Sequence, residues 1–78
     1  MTDREGIREA IARFLKKPIE KVADGTPLAD LVQESFVLVE MVIELQESFH
    51  VRFGQAELHD VRTVGDLIDL VARTRTPD

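Results

Sequence analysis

The chain has 78 residues and carries a net charge of -5 from ten Lys and Arg against fifteen Asp and Glu, with no cysteine. A chain this short buries only about 60 to 65% of the surface its unfolded form exposes, so it holds one domain and a large enclosed catalytic pocket is not expected. The acidic balance opposes nucleic acid phosphates and anionic lipid, disulfides and thiolate metal sites are excluded, and 44% apolar content describes a folded chain suited to a reducing cytoplasm.

In chain order, Thr2-Asp3-Arg4-Glu5 reads as a capping box that opens a helix over residues 3–16. Ile7, Ala10, Ile11, Phe14 and Leu15 recur at three- and four-residue spacing and form its apolar stripe. Lys16, Lys17 and Pro18 supply a basic last turn and a stop. Residues 17–34 contain two of the three prolines and no sustained periodicity, which predicts a long loop with a short helical turn near Ile19 to Val22. Ile19, Val22, Leu28 and Leu31 are apolar enough to pin that loop to the core.

Polar residues at 40, 44 and 47 interrupt the apolar run that begins after Ser35, a helical spacing that predicts a helix over 35–50. Glu40, Glu44 and Glu47 fall at i, i+4 and i+7 and form an acidic ridge. Some of Val37, Met41 and Ile43 must lie exposed beside it, because so small a domain cannot cover a helix that is apolar on most of its circumference. The longest apolar run, Phe36 to Val39, is far too short to span a bilayer. Gly54 allows a break before a short helix over 55–59. Thr63-Val64-Gly65-Asp66 is a second capping box, with Asp in the Glu position. It opens a last helix over 64–73, with a frayed tail over 74–78. The expected fold is all-α, a small four-helix bundle of three main helices and a short third helix, in a single domain with a long loop between helices one and two. The charge is uneven along it: residues 30–60 hold seven acids against Arg52 alone, so this middle stretch carries the whole negative surplus.

Catalysis by this chain alone is not expected. His50 and His59 are nine residues apart and lack the spacing of a zinc pair, and the four glycines stand singly, so no phosphate-cradling loop exists. The conspicuous residue is Ser35, at the junction of the long loop and the acidic helix. Its hydroxyl suits an N-cap that accepts a first-turn amide hydrogen, the reading that capping preference favours, and can at the same time be an accessible nucleophile that another enzyme modifies.

Glu34-Ser35-Phe36, then Val39-Glu40-Met41-Val42 followed by Leu45-Gln46-Glu47-Ser48-Phe49, then Thr63-Val64-Gly65-Asp66-Leu67-Ile68, together resemble the acyl carrier protein family and its peptidyl carrier relatives. The similarity covers roughly residues 3 to 72. In that family a long loop ends in Asp-Ser-Leu and the serine carries 4'-phosphopantetheine. Here Glu34 replaces the usual Asp, Phe36 the usual Leu, and Val32 stands where a Gly commonly precedes the motif. The resemblance implies attachment at Ser35, with Glu34, Phe36, Val39, Glu40, Met41, Glu44 and Glu47 meeting partners. Those partners would be a phosphopantetheinyl transferase, a loading enzyme of the acyltransferase or adenylating ligase type, and condensing or tailoring enzymes, with no nucleic acid or membrane and a monomeric state. The departures from the motif favour a discrete carrier of a polyketide or nonribosomal peptide pathway over the housekeeping fatty acid subgroup. A second Glu-Ser-Phe at residues 47–49 falls inside the helix, which makes Ser48 a poor attachment site and Phe49 a core anchor. The rival reading is a small unmodified helical adaptor that binds a partner through the second helix.

Overall fold

The computed structural model describes residues 3–74; Thr2 of the first expected capping box and residues 75–78 of the expected tail lie outside the described residues. The elements in order are α1 (Asp3–Leu15), a 3-10 turn (Ile19–Lys21), α2 (Leu28–Leu31), α3 (Ser35–Phe49), α4 (Gln55–Leu58) and α5 (Val64–Thr74). No strand forms among the described residues, and one isolated antiparallel bridge pairs Pro27 with Thr63. The three long helices pack on one another around Ile7 and Ile11 from α1, Met41 and Leu45 from α3, and Val64, Leu67, Ile68 and Val71 from α5, all at most 1% exposed. The 3.6-residue period is therefore the feature of the sequence that assembles the core.

Two helices, α1 and α3, end one residue short of their expected positions for one shared reason, and α4 stops at Leu58 rather than at 59. Lys16 and His50, expected as last helical residues, adopt the left-handed conformation with φ of 58° and 56° and so terminate α1 and α3 one residue earlier. Behind Lys16, the Lys17 amide donates to the Ala12 carbonyl at 3.0 Å and the Lys16 amide to that of Arg13 at 3.2 Å, a Schellman closure without its usual glycine. The helix stops at this closure, two residues before Pro18. In the other direction, α5 runs one residue further than expected and includes Thr74.

The loop between α1 and α3 is more ordered than its prolines and lack of periodicity indicate. Besides the 3-10 turn over Ile19–Lys21, it contains α2, which the sequence reading left as loop. Pro27, with φ of -64° and ψ of 137°, holds the chain extended just before α2, and the three-residue separation of Leu28 and Leu31 turns both toward the core. Backbone bonds then tie the loop to the start of α5: Leu28 N donates to Arg62 O at 2.9 Å, Val64 N to Thr26 O at 2.9 Å, and Gly65 N to Asp24 O at 2.8 Å. Gly65 lets the two segments come this close, because a Cβ there would lie 3.0 Å from the Asp24 carbonyl oxygen.

Side chains clamp the same point. Asp24 accepts from Arg8 at 2.5 Å and from Arg4 at 2.9 Å; Arg4 also bridges to Asp69 of α5, and Arg8 donates to the Val22 carbonyl at 2.6 Å. On α5 the capping box forms as the sequence indicates: Asp66 N donates to Thr63 Oγ1 at 3.1 Å, and Asp66 Oδ2 accepts from the Thr63 and Arg62 amides at 3.2 and 3.1 Å.

Both carboxyls sit below their ordinary range, Asp24 through its hydrogen bond from Arg8 and then from Arg4, and Asp66 through the Arg62 and Thr63 amides. A depressed folded pKa gives stability that is complete above the unfolded value near 4 and is lost as pH falls through the folded value. Resistance to urea unfolding is therefore expected to decline from pH 4 downward. The decline should be shallower in the double variant Asp24→Asn/Asp66→Asn, and an equally steep decline would show that other carboxylates govern acid sensitivity.

Candidate functional site

Ser35 is the first residue of α3 and not its N-cap, a correction to the capping reading. Glu34 occupies the cap with extended backbone, φ -110° and ψ 129°, and makes no side-chain cap hydrogen bond. Its carbonyl accepts from the Val37 amide at 3.1 Å and the Leu38 amide at 3.3 Å, which starts the helix without using the serine hydroxyl. Val32, two residues before the cap, is 9% exposed and packs into the core, so the segment leading to Ser35 is anchored from below. Glu34, Ser35 and Phe36 all face outward. The hydroxyl is thus presented on a rigid helix start, and no side-chain hydrogen bond holds it among the described residues.

Beyond Ser35, α3 separates into two faces. Leu38, Met41, Val42, Leu45 and Phe49 turn inward, with Met41 0% exposed. Met41 is therefore a core residue and cannot meet a partner as the sequence reading expected. It lies four residues before Leu45 on the inner stripe, and that spacing outweighs its adjacency to Glu40. Phe36, Val39 and Ile43, at i, i+3 and i+7, remain 59%, 52% and 47% exposed and make an apolar outer stripe. Glu40, Glu44 and Glu47 are exposed as well. The outer surface of α3 thus joins an apolar strip to an acidic ridge, both starting near Ser35.

Two open grooves adjoin at Ser35. One, of about 600 Å³, runs between α2 and the segment before α5 and is lined by residues including Pro27, Glu34, Ser35, His59 and Arg62. The other, of about 480 Å³, lies between α3 and α4 and is lined by Ser35, Leu38, Val39, Val42, Leu58 and His59. Ser35, Leu38 and His59 border both. His59 and Arg62 are the residues of this site that the sequence reading did not find, since they lie more than twenty positions from Ser35 and only the packing of α4 and the turn after it brings them to the groove. Among the described residues no group of His, Asp and Glu is placed to hold a metal ion, and no helix is long and apolar enough to cross a membrane.

A covalently attached phosphodiester arm fits what surrounds Ser35: the hydroxyl is exposed, is not needed by the helix, and opens onto two grooves. The family described as phosphopantetheine attachment site matches residues 5–71. An acyl carrier protein of Saccharopolyspora erythraea is 35% identical over 77 residues, covering 92% of this chain and 81% of that protein. An acyl carrier protein of Acidothermus cellulolyticus is 33% identical over 75 residues, covering 83% of this chain and 88% of that protein.

Proposed function

The chain belongs to the acyl carrier protein family, a family of carriers that are not themselves enzymes, and from that membership we propose that Ser35 is where it bears 4'-phosphopantetheine. The observation that carries the assignment is the free, outward hydroxyl at the first position of α3, between two grooves. Attachment takes place inside a phosphopantetheinyl transferase, which contributes the base and the metal. The Ser35 Oγ bonds to the phosphorus that carries the pantetheine of coenzyme A, the pyrophosphate P–O bond breaks, adenosine 3',5'-bisphosphate leaves, and the hydroxyl proton passes to the transferase base. The new phosphodiester anion then lies at the positive end of the fifteen-residue α3 dipole. When bound, the arm supplies a terminal thiol that holds acyl or aminoacyl groups as thioesters, chemistry that a cysteine-free chain lacks.

This chain's own residues handle partner choice. Phe36, Val39 and Ile43 offer an apolar contact, while Glu34, Glu40, Glu44 and Glu47 draw basic patches of successive enzymes toward Ser35 in fast, salt-sensitive encounters. Glu34 in place of Asp, and the larger Phe36 beside the attachment point, support a discrete carrier of a polyketide or nonribosomal peptide pathway, with an acyltransferase or an adenylating ligase as loading enzyme.

Intact mass after incubation with coenzyme A, magnesium and a broad-specificity phosphopantetheinyl transferase tests the reading. A gain of one phosphopantetheine is expected, and no gain with several transferases would leave the unmodified adaptor as the better account. Charge steering has its own test: Glu40→Lys/Glu44→Lys is expected to slow transfer from a loading enzyme about tenfold or more at low salt, with unchanged helicity by circular dichroism. The difference should shrink as salt rises, and equal rates at low salt would remove the ridge from the mechanism.

A further inference from the structure

The charge around Ser35 poses a problem for a phosphodiester. Residues 30–60 carry seven acids and one Arg, and Glu34 lines the same groove as the hydroxyl, so an anion attached there adds to an existing negative surplus. Across that groove, however, stand Arg62 and His59. Arg62 is well positioned for an anion because its backbone is fixed on both sides: its amide donates to Asp66 Oδ2 at 3.1 Å and its carbonyl accepts from Leu28 N at 2.9 Å. Its guanidinium makes no ion pair among the described residues, although its charge helps lower the Asp66 carboxyl. His59 follows α4 in a turn closed by Val61 N donating to Leu58 O at 3.1 Å, and it borders both grooves that meet at Ser35.

We propose that Arg62 and His59 form an anion seat that holds the phosphodiester of the arm in the groove between α2 and the segment before α5, and so sets the direction in which the arm leaves Ser35. Seating the phosphate there places the start of the arm beside His59, where it can pass into the apolar groove of Leu38, Val39, Val42 and Leu58 or swing outward to an enzyme. Arg62 offers two parallel N–H donors, and the His59 imidazole adds a third N–H donor.

This inference rests on attachment at Ser35, and the test separates the two. Holo protein is prepared with a transferase, its modification is established by intact mass, and the phosphodiester is followed by 31P NMR at neutral pH and low ionic strength. The expected result is a 31P shift displaced from that of the urea-unfolded holo chain, by an amount that His59→Gln reduces and His50→Gln leaves intact. Arg62→Gln should move the signal toward the unfolded value, and Arg62→Lys should restore part of the displacement. A 31P signal at the unfolded position, in a chain whose mass shows the arm attached, would overturn the seat while leaving attachment at Ser35 standing. A chain that gains no mass would overturn both.

Discussion

Ser35→Ala is expected to gain no mass under conditions in which the wild-type chain is fully converted by a phosphopantetheinyl transferase, while its thermal unfolding midpoint stays within about 4 °C of wild type. The two halves of this expectation come from one observation. Ser35 stands at the first helical position, the cap beside it is Glu34, and the helix is started by backbone amides donating to the Glu34 carbonyl. Removing the hydroxyl therefore takes away a nucleophile without taking away a structural bond. The second Glu-Ser-Phe of the chain, at residues 47–49, makes an internal control. Ser48 is exposed too, but it lies near the end of α3 and borders neither groove that meets at Ser35. Ser48→Ala should be modified as fully as wild type. Modification that survives in Ser35→Ala and disappears in Ser48→Ala would move the attachment point to the other end of the helix.

The contrast between these two serines also shows what the sequence makes legible. An identical tripeptide occurs twice, and the turn signals before the first copy and the helical period around the second suffice to place one at a helix start and the other within the helix. Periodicity likewise reveals the stripes of α1 and α5, and the Thr63 to Asp66 capping box forms with the bonds its spacing calls for. Periodicity is weaker on α3, where apolar residues occupy most of the circumference and the pattern alone does not say which of them face in. Met41 stands beside exposed Glu40 in that pattern, and its burial is set by the packing of α1 and α5 on α3. Other features depend on contacts between distant segments. The helix over Leu28–Leu31 is held by a bond from Leu28 N to Arg62 O, and His59 shares two grooves with Ser35 only through the packing of the segment after α4. A local window on the sequence cannot contain such partners, so neither the order of the loop nor the place of His59 is visible in it.

The largest stability effect is expected at Gly65, and it follows from the same long-range contact. In Gly65→Ala the added Cβ would lie 3.0 Å from the Asp24 carbonyl oxygen and 3.1 Å from the Asp24 Cβ, closer than ordinary packing allows. Asp24 has little freedom to yield, because Arg8 and Arg4 hold its carboxylate at 2.5 and 2.9 Å and its carbonyl accepts the Gly65 amide at 2.8 Å. Separating the segments would stretch that bond and pull on Thr26 and Leu28, whose backbone bonds to Val64 and Arg62 fasten the loop that leads into Ser35. Overpacking of this kind costs about 2 kcal/mol, which in a domain of this size lowers the unfolding midpoint by roughly 8 to 16 °C. Gly25→Ala, one residue from the same contact, is the matched comparison. A Cβ there meets nothing within 4 Å, and the backbone is not left-handed, so the change should be neutral or should stabilise by about 0.5 kcal/mol through the unfolded chain. Calorimetry on the two variants separates a steric requirement at one point from a general preference for glycine in the region. Equal midpoints would mean that the loop moves away from α5 without penalty. In that case the fixed backbone of Arg62, and the rigid approach to Ser35 that depends on it, would lose their support as well.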